Sequence, residues 1–296
     1  MSLEVLIRIG RGKMKKKLQI LVCCHKADPY IRTEEPYFPI QVGKALHPDL
    51  DLGFQNDNEG DNISKKNPQW CELTALYWGW KNIKDTEFLG LCHYRRYFDC
   101  DISDKNIDNI LRGKDILLLE REIYSCSIAK SFSSLVTLED FYIFQDVLLK
   151  MHPEYYNAIL HYCYNSNMFV RCTMFVARKK IWDDFCNTFF PVFEEVEKII
   201  KKHSYSRLNR SIAYMGELSL GIYVTHKKLR VKYVPQFNES KHSNFVLNYL
   251  RRIKKYLIKT KLSLGFYLLN GRCKTMMLYE AVVLGLKNDN IILGMK

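Results

Sequence analysis

His93-Tyr94-Arg95-Arg96-Tyr97 follows directly on the apolar run Phe88–Cys92. Two guanidiniums leaving the end of a buried strand suit a phosphate or diphosphate, because each offers forked, charge-assisted hydrogen bonds. A second polar group, His25-Lys26, ends the apolar run Leu18–Cys24 in the same way. In open α/β sheets ligands sit beyond the carboxyl ends of the strands, which makes His25, Lys26, His93, Arg95, Arg96 and Tyr97 the candidate anion-binding set. The plainer alternative pairs one arginine with Asp99 or Asp101 and leaves the tyrosines in the core.

Carboxylates and amides that could accompany such an anion lie elsewhere in the chain. In GDNISKKN (60–67), Asp61 and Asn62 can turn the backbone or hydrogen-bond a sugar hydroxyl, while Ser64 reads better as part of an Asx-turn. Glu72 falls on the polar side of the following helix, as an arginine partner or a ligand. Asn167 precedes a strand-like run and either reaches a hydroxyl-rich ligand or caps the helix before it. Glu217 lies in YMGELSLGIY (214–223), where an unpaired carboxylate is costly. It therefore pairs with a cation such as Arg210 or faces a cleft as a base. These residues describe a cleft for an anionic, hydroxylated small molecule.

The elements that must position them alternate. Apolar runs predict strands at Leu18–Cys24, Phe88–Cys92, Ile116–Leu119, Met168–Ala177 and Leu229–Pro235. Helices are expected from Asn67-Pro68, with its capping side chain and N-terminal proline, and over Leu138–Met151, Pro153–Tyr164, Lys179–Lys202 and Arg210–Thr225. Residues 27–66, rich in Pro, Gly, Asp and Asn, read as one long loop. Strand–helix alternation of this kind predicts an α/β fold: a mostly parallel sheet flanked by helices.

The 296-residue chain has a net charge of +13, unevenly spread. Residues 1–18 carry +5 and residues 227–296 carry +12, leaving the body between them at −4. An acidic body argues against a nucleic-acid partner, and basic tails argue for an anionic membrane surface. After Phe245, Val246, Leu250, Ile253, Leu257 and Leu264 share one helical stripe, and Arg251, Arg252, Lys255 and Lys259 another. Such a helix lies in a membrane interface or docks on the domain with a solvated basic face. The implied organisation is a basic extension (1–17), a catalytic or binding domain (18–240) and a basic amphipathic tail (241–296).

Ten cysteines without a CxxC pair read as buried thiols of a reducing cytosol rather than as a disulfide framework. Eight scattered histidines, none near a close cysteine pair, give no metal site. The segment MKKKLQILVCC from Met14 imitates a signal peptide, but its apolar run is short and no small-residue cleavage site follows. Met14 is itself a candidate start. No run approaches the roughly 18 apolar residues that span a bilayer.

At the residues named above the sequence resembles the domain-of-unknown-function glycosyltransferases encoded in bacterial capsule and O-antigen loci, some of which transfer galactofuranose. The similar pieces are VCCHK (22–26), YFPIQVGKAL (37–46), GDNISKKNPQWCELTALYWGWKN (60–82), GLCHYRRYF (90–98), NMF (167–169) and Arg210…Tyr214…Glu217. Ala213 and Leu218 depart from the family's glycine and arginine. The resemblance implies a GT-A-like fold, a nucleoside-diphosphate sugar donor and a lipid-linked glycan acceptor at the inner face of the cell membrane. It also implies a hexosyl transfer, expected to be inverting, with Glu217 as base and Asp61 as the fallback. Asp61, Asn62, His93 and Asn167 would orient sugar and acceptor. Many GT-A enzymes hold a metal on an Asp-x-Asp motif. Here the comparable strand end reads His-Tyr-Arg-Arg, so the expectation is no cofactor, with Arg95, Arg96 and Lys26 in the metal's place and manganese left open. The alternative is an inert nucleotide-sugar or glycan binder of the same fold.

Overall fold

The computed structural model describes residues 16–201 and 208–238, with a few helical positions between 257 and 265. The basic N-terminal extension and most of the amphipathic tail fall outside the described residues. Among the described residues, no helix is long and apolar enough to cross a membrane.

Side chains of β1 (Leu18–Cys24) alternate between two cores, as the period of a strand requires. Leu21 and Cys23 face one, and Ile20, Val22 and Cys24 face the other. Parallel to β1 run β2 (Tyr37–Gln41) on one side and β4 (Phe88–His93) on the other, with β3 (Gln55–Asn56) beyond β2. A short hairpin leads from β4 into β5 (Arg96–Phe98). Next come β6 (Ile116–Leu119), β7 (Glu122–Ile123), β8 (Met168–Phe169), β9 (Phe175–Arg178), β10 (Val231–Val234) and β11 (Gln236–Asn238). The main sheet has the order β10-β6-β9-β4-β1-β2-β3, extended by β5 and β11. It is parallel except where β9 runs against β4 and β6 and where β5 turns back on β4 and β11. β7 and β8 form a separate antiparallel ribbon. The chain is thus the expected α/β fold with a mostly parallel sheet.

The antiparallel β9 decides where a site can be. Its amino end shares a rim with the carboxyl ends of β4 and β6, so residues 93–96, 120–124 and 171–173 converge there. Helices cover one face of the sheet: α1 (Asn67–Trp70), α2 (Leu73–Asn82), α3 (Leu138–Met151), α4 (Lys179–Ile199) and α5 (Ser211–His226). In α4, Trp182, Phe185, Phe189, Phe193 and Val196 recur at helical spacing and are fully buried.

Three expectations change. The long loop 27–66 contains β2, a strand inside the sheet rather than a connection. Pro39 hid it, since proline in a strand interior is uncommon. The helix expected from Asn67 breaks at Cys71, whose φ of 46° lies in the left-handed region. The single strand expected over 168–177 is split by a corner at Cys172 and Thr173, with φ of 69° and 40°. Every cysteine among the described residues is a free thiol.

Within α5, Gly221 is required by its neighbour. A Cβ there would stand 1.9 Å from Cζ of Tyr162. That ring is buried, and its hydroxyl accepts a hydrogen bond from the Val170 N–H at 2.8 Å, just before the corner. Alanine in a helix interior ordinarily gains up to ~1 kcal/mol over glycine. Overpacking against an anchored ring costs about 1–3 kcal/mol and wins. Gly221→Ala is expected to lower Tm in a calorimetric scan; an unchanged or raised Tm contradicts this packing.

Candidate active site

A pocket of about 330 Å³ opens at the shared rim, lined by Arg96, Glu122, Tyr124, Leu135, Phe169, Arg171, Cys172, Arg210, Tyr214 and Glu217. Arg96 comes from the start of β5, and Glu122 and Tyr124 from β7 and the residue beyond it. Phe169, Arg171 and Cys172 come from the β8–β9 connection. Tyr214 and Glu217 lie at i and i+3 on one face of α5, and Arg210 stands at the residue before its first turn.

The corner at Cys172–Thr173 holds Glu217 of the pocket and Glu72 behind it. The Cys172 N–H donates to Glu217 Oε2 at 3.0 Å, and Thr173 Oγ1 donates to Glu72 Oε1 at 3.3 Å. The Cys172 carbonyl accepts from His93 Nε2 at 3.0 Å, which fixes the tautomer with its proton on Nε2. Non-glycine residues in this backbone region cost of order 1–3 kcal/mol each and persist only where their surroundings hold them. Here three side chains from β4, α5 and the start of α2 do so.

Electrostatics follow from burial. Desolvation, and then the nearby Glu72, raise the pKa of Glu217 to about 7. Burial likewise raises the pKa of Glu72, opposed in part by Arg210 and Arg96. His93 is pushed down to about 4, first by burial, so its ring is neutral. The thiols of Cys71 and Cys172 are both raised by burial to about 11 and stay protonated. They serve as neutral neighbours for cations: Arg210 Nε lies 3.1 Å from Cys71 Sγ, and Arg96 Nη1 lies 3.6 Å from Cys172 Sγ. Among the described residues neither Arg96 nor Arg210 forms an ion pair, whereas Arg171 is paired with Glu122. The pocket therefore presents two guanidiniums with charge to spare beside a carboxylate of raised proton affinity.

A family described as Domain of unknown function (DUF4422) matches residues 19–228, most of the chain. This protein belongs to the DUF4422 family. It is also similar to a solved structure described as a WbbM bifunctional glycosyltransferase in its apo form, with 25% sequence identity and a TM-score of 0.67. That match covers 76% of this chain and 46% of the other, so the DUF4422 chain spans less than half the length of the solved protein. Nothing among the curated proteins matches it.

Of the residues singled out in the sequence, the structure brings Arg96 and Glu217 into the pocket, with Glu72 and His93 directly behind them. Arg95 goes elsewhere. In the two-residue hairpin between β4 and β5 it adopts φ of 68° and pairs with Asp28, whose side chain is 1% exposed. Its neighbour Arg96 starts the returning strand, so the two guanidiniums diverge. His25 is exposed on Arg95's side of the hairpin, its Nε2 3.3 Å from the Tyr94 hydroxyl, and Lys26 is exposed beside it. Burial, and then Lys26 and Arg210, lower the His25 pKa. Tyr97 is a core residue on the opposite face, its hydroxyl donating to the Tyr30 carbonyl at 2.9 Å.

Asp61 and Asn62 are not brought to the pocket. Asp61 is tied to Asn82 and accepts from Tyr77 Oη at 3.0 Å. Asn82 ends α2, whose start carries Glu72, and ten helical residues separate those ends by about 15 Å. Asn62 closes a turn, donating to the Asn58 and Gly60 carbonyls at 3.1 and 2.8 Å. The structural residue of that loop is Asp57, fully buried, whose carboxylate accepts the Gly43 and Lys44 N–H groups at 2.9 and 3.1 Å. Asn167 stands behind the pocket wall, where it clamps the Tyr124 peptide.

Arg171, Tyr124, Glu122 and Cys172 were not found from the sequence. Arg210 and Tyr214 had a signal in their helical spacing to Glu217. Among the described residues no group of three or more His, Cys, Asp or Glu side chains could hold a metal ion.

Proposed function

We propose that this protein is an inverting glycosyltransferase moving a hexose, galactofuranose being one candidate, from a nucleoside-diphosphate sugar to a lipid-linked glycan in capsule, O-antigen or exopolysaccharide synthesis. The observation that carries the reading is Glu217, with its pKa raised to about 7, in one pocket with Arg96 and Arg210, which form no ion pair among the described residues. Similarity to a solved glycosyltransferase supports it. The +12 charge of residues 227–296 supports work at an anionic membrane face.

In the proposed reaction Glu217 takes the proton from an acceptor hydroxyl. The oxygen attacks the anomeric carbon, and the bond from that carbon to the diphosphate oxygen breaks. The nucleoside diphosphate leaves with the electron pair, and its added charge falls to Arg96 and Arg210. Guanidiniums aimed at the departing diphosphate stabilise the charge that develops there. They would take the place that many GT-A enzymes give to a divalent ion.

A panel of nucleoside-diphosphate sugars, incubated with and without glycan acceptors, tests the reading by release of nucleoside diphosphate. Acceptor-dependent release from one sugar is expected. Donor binding without release in any combination would instead make the protein an inert nucleotide-sugar binder. The sign of the pH dependence follows from the base. Glu217 must be ionised, so kcat/KM is expected to rise with pH through about 7 and level off above it. A profile flat from about pH 5 to 8 removes Glu217 from this role.

A further inference from the structure

The pocket has two chemically different halves, and the proposed transfer uses only one of them. Apart from Arg96 and Arg210, the pocket lining includes the β7–β8 ribbon, which supplies an aromatic wall. Tyr124 stacks on Phe169 with ring centroids 5.9 Å apart and planes inclined by 29°. Phe132 backs Phe169 at 6.2 Å, so the wall continues into the core and cannot fold away. Beside this wall, Glu122 accepts from Arg171. Carboxylate and guanidinium cancel, so this half carries no net charge, in contrast to the cationic half.

An anion gains little from such a surface. A neutral molecule with one apolar face and hydroxyls at its rim fits it well. The ring C–H groups of a pyranose are positively polarised and match the negative face of an aromatic ring. Glu122 keeps free lone pairs and Arg171 free N–H groups for adjacent hydroxyls, which both accept and donate. We infer that the β7–β8 ribbon is the acceptor subsite and takes a neutral hexopyranose residue of the glycan, stacked on Tyr124 with neighbouring hydroxyls on Glu122 and Arg171. This deepens the glycosyltransferase reading and rests on it for the acceptor's role.

Asn167 becomes a positioning residue. The Tyr124 N–H donates to the Asn167 carbonyl at 2.9 Å, and Asn167 Nδ2 donates to the Tyr124 carbonyl at 2.8 Å. Gripped at both ends of its residue, Tyr124 presents its ring at a fixed angle. The segment NMF is thereby tied to glycan recognition through Tyr124 rather than through direct contact.

Saturation-transfer NMR on the full chain tests the subsite, with methyl β-galactopyranoside, methyl β-glucopyranoside and methyl α-mannopyranoside as probes. Calorimetric titration with inorganic pyrophosphate reports on the cationic half. At least one pyranoside is expected to bind, with transfer strongest along one ring face. Tyr124→Ala is expected to abolish that signal and Glu122→Gln to weaken binding about fivefold or more, while pyrophosphate affinity stays within about twofold. Tyr124→Phe keeps the stacking wall and is expected to lose only about two- to threefold, which guards against a misfolded Tyr124→Ala. The proposal is overturned if no pyranoside binds the wild type, or if binding persists unchanged in Tyr124→Ala and Glu122→Gln. Tyr124-dependent pyranoside binding without pyrophosphate binding supports the subsite and rejects the diphosphate site instead.

Discussion

Glu217→Gln is expected to lower kcat by about 10²- to 10⁴-fold, the range for loss of a general base. The amide has the shape of the carboxylate and still accepts the Cys172 N–H, so the corner at Cys172–Thr173 is preserved. Donor affinity is expected to hold or improve slightly, because a negative charge near Arg96 and Arg210 is removed. Kinetically the signature is a fall in kcat with donor KM little changed, the mark of an interaction made only in the transition state. Stopped assays at pH 8, where wild-type Glu217 is ionised, give the cleanest comparison. Turnover within about threefold of wild type would take this residue out of the chemistry.

Arg96→Ala is expected to cost about 10²- to 10³-fold in kcat/KM, the usual consequence of removing one donor aimed at developing charge. Arg96→Lys is expected to recover only part of this, since a lysine keeps the charge but not the planar fork. Arg95 provides the contrast, because its guanidinium is spent on the buried Asp28 rather than on the pocket. Removing it leaves that carboxylate without its cation, so Arg95→Ala is expected to act on Tm more than on turnover. Kinetic constants and melting curves for the two alanine variants distinguish the roles. Equal kinetic losses at both positions would restore the arginine doublet as one anion clamp.

That doublet shows where sequence reading stops. An apolar run ending in His-Tyr-Arg-Arg marks a strand end, and β1, β4 and β6 stand where their apolar residues place them. Whether two adjacent arginines act together depends on the turn between them, and a two-residue hairpin sends neighbours apart. Nothing in the residue types announces that hairpin, because Arg95 occupies a backbone region where glycine would have been the signal. Cys71, Cys172 and Thr173 conceal their turns in the same way. The corner that holds Glu217 and Glu72 was therefore invisible, and so was the split of one expected strand into β8 and β9. Arg210, Tyr214 and Glu217 were legible as a set because helical spacing alone puts them on one face. Asp61 misled for the opposite reason. Its segment is distinctive in sequence, but the hydrogen bonds of Asn82 and Tyr77 hold it far along α2.

In the proposed mechanism Arg96 and Arg210 hold the donor diphosphate in the pocket beside Glu217. Calorimetric titration of the wild type and of Arg96→Ala/Arg210→Ala with uridine and guanosine diphosphates, in excess chelator, tests it most directly. Binding of at least one nucleotide to the wild type without divalent metal is expected, with its loss in the double variant. Binding that appears only after manganese is restored, or that survives removal of both arginines, would contradict it.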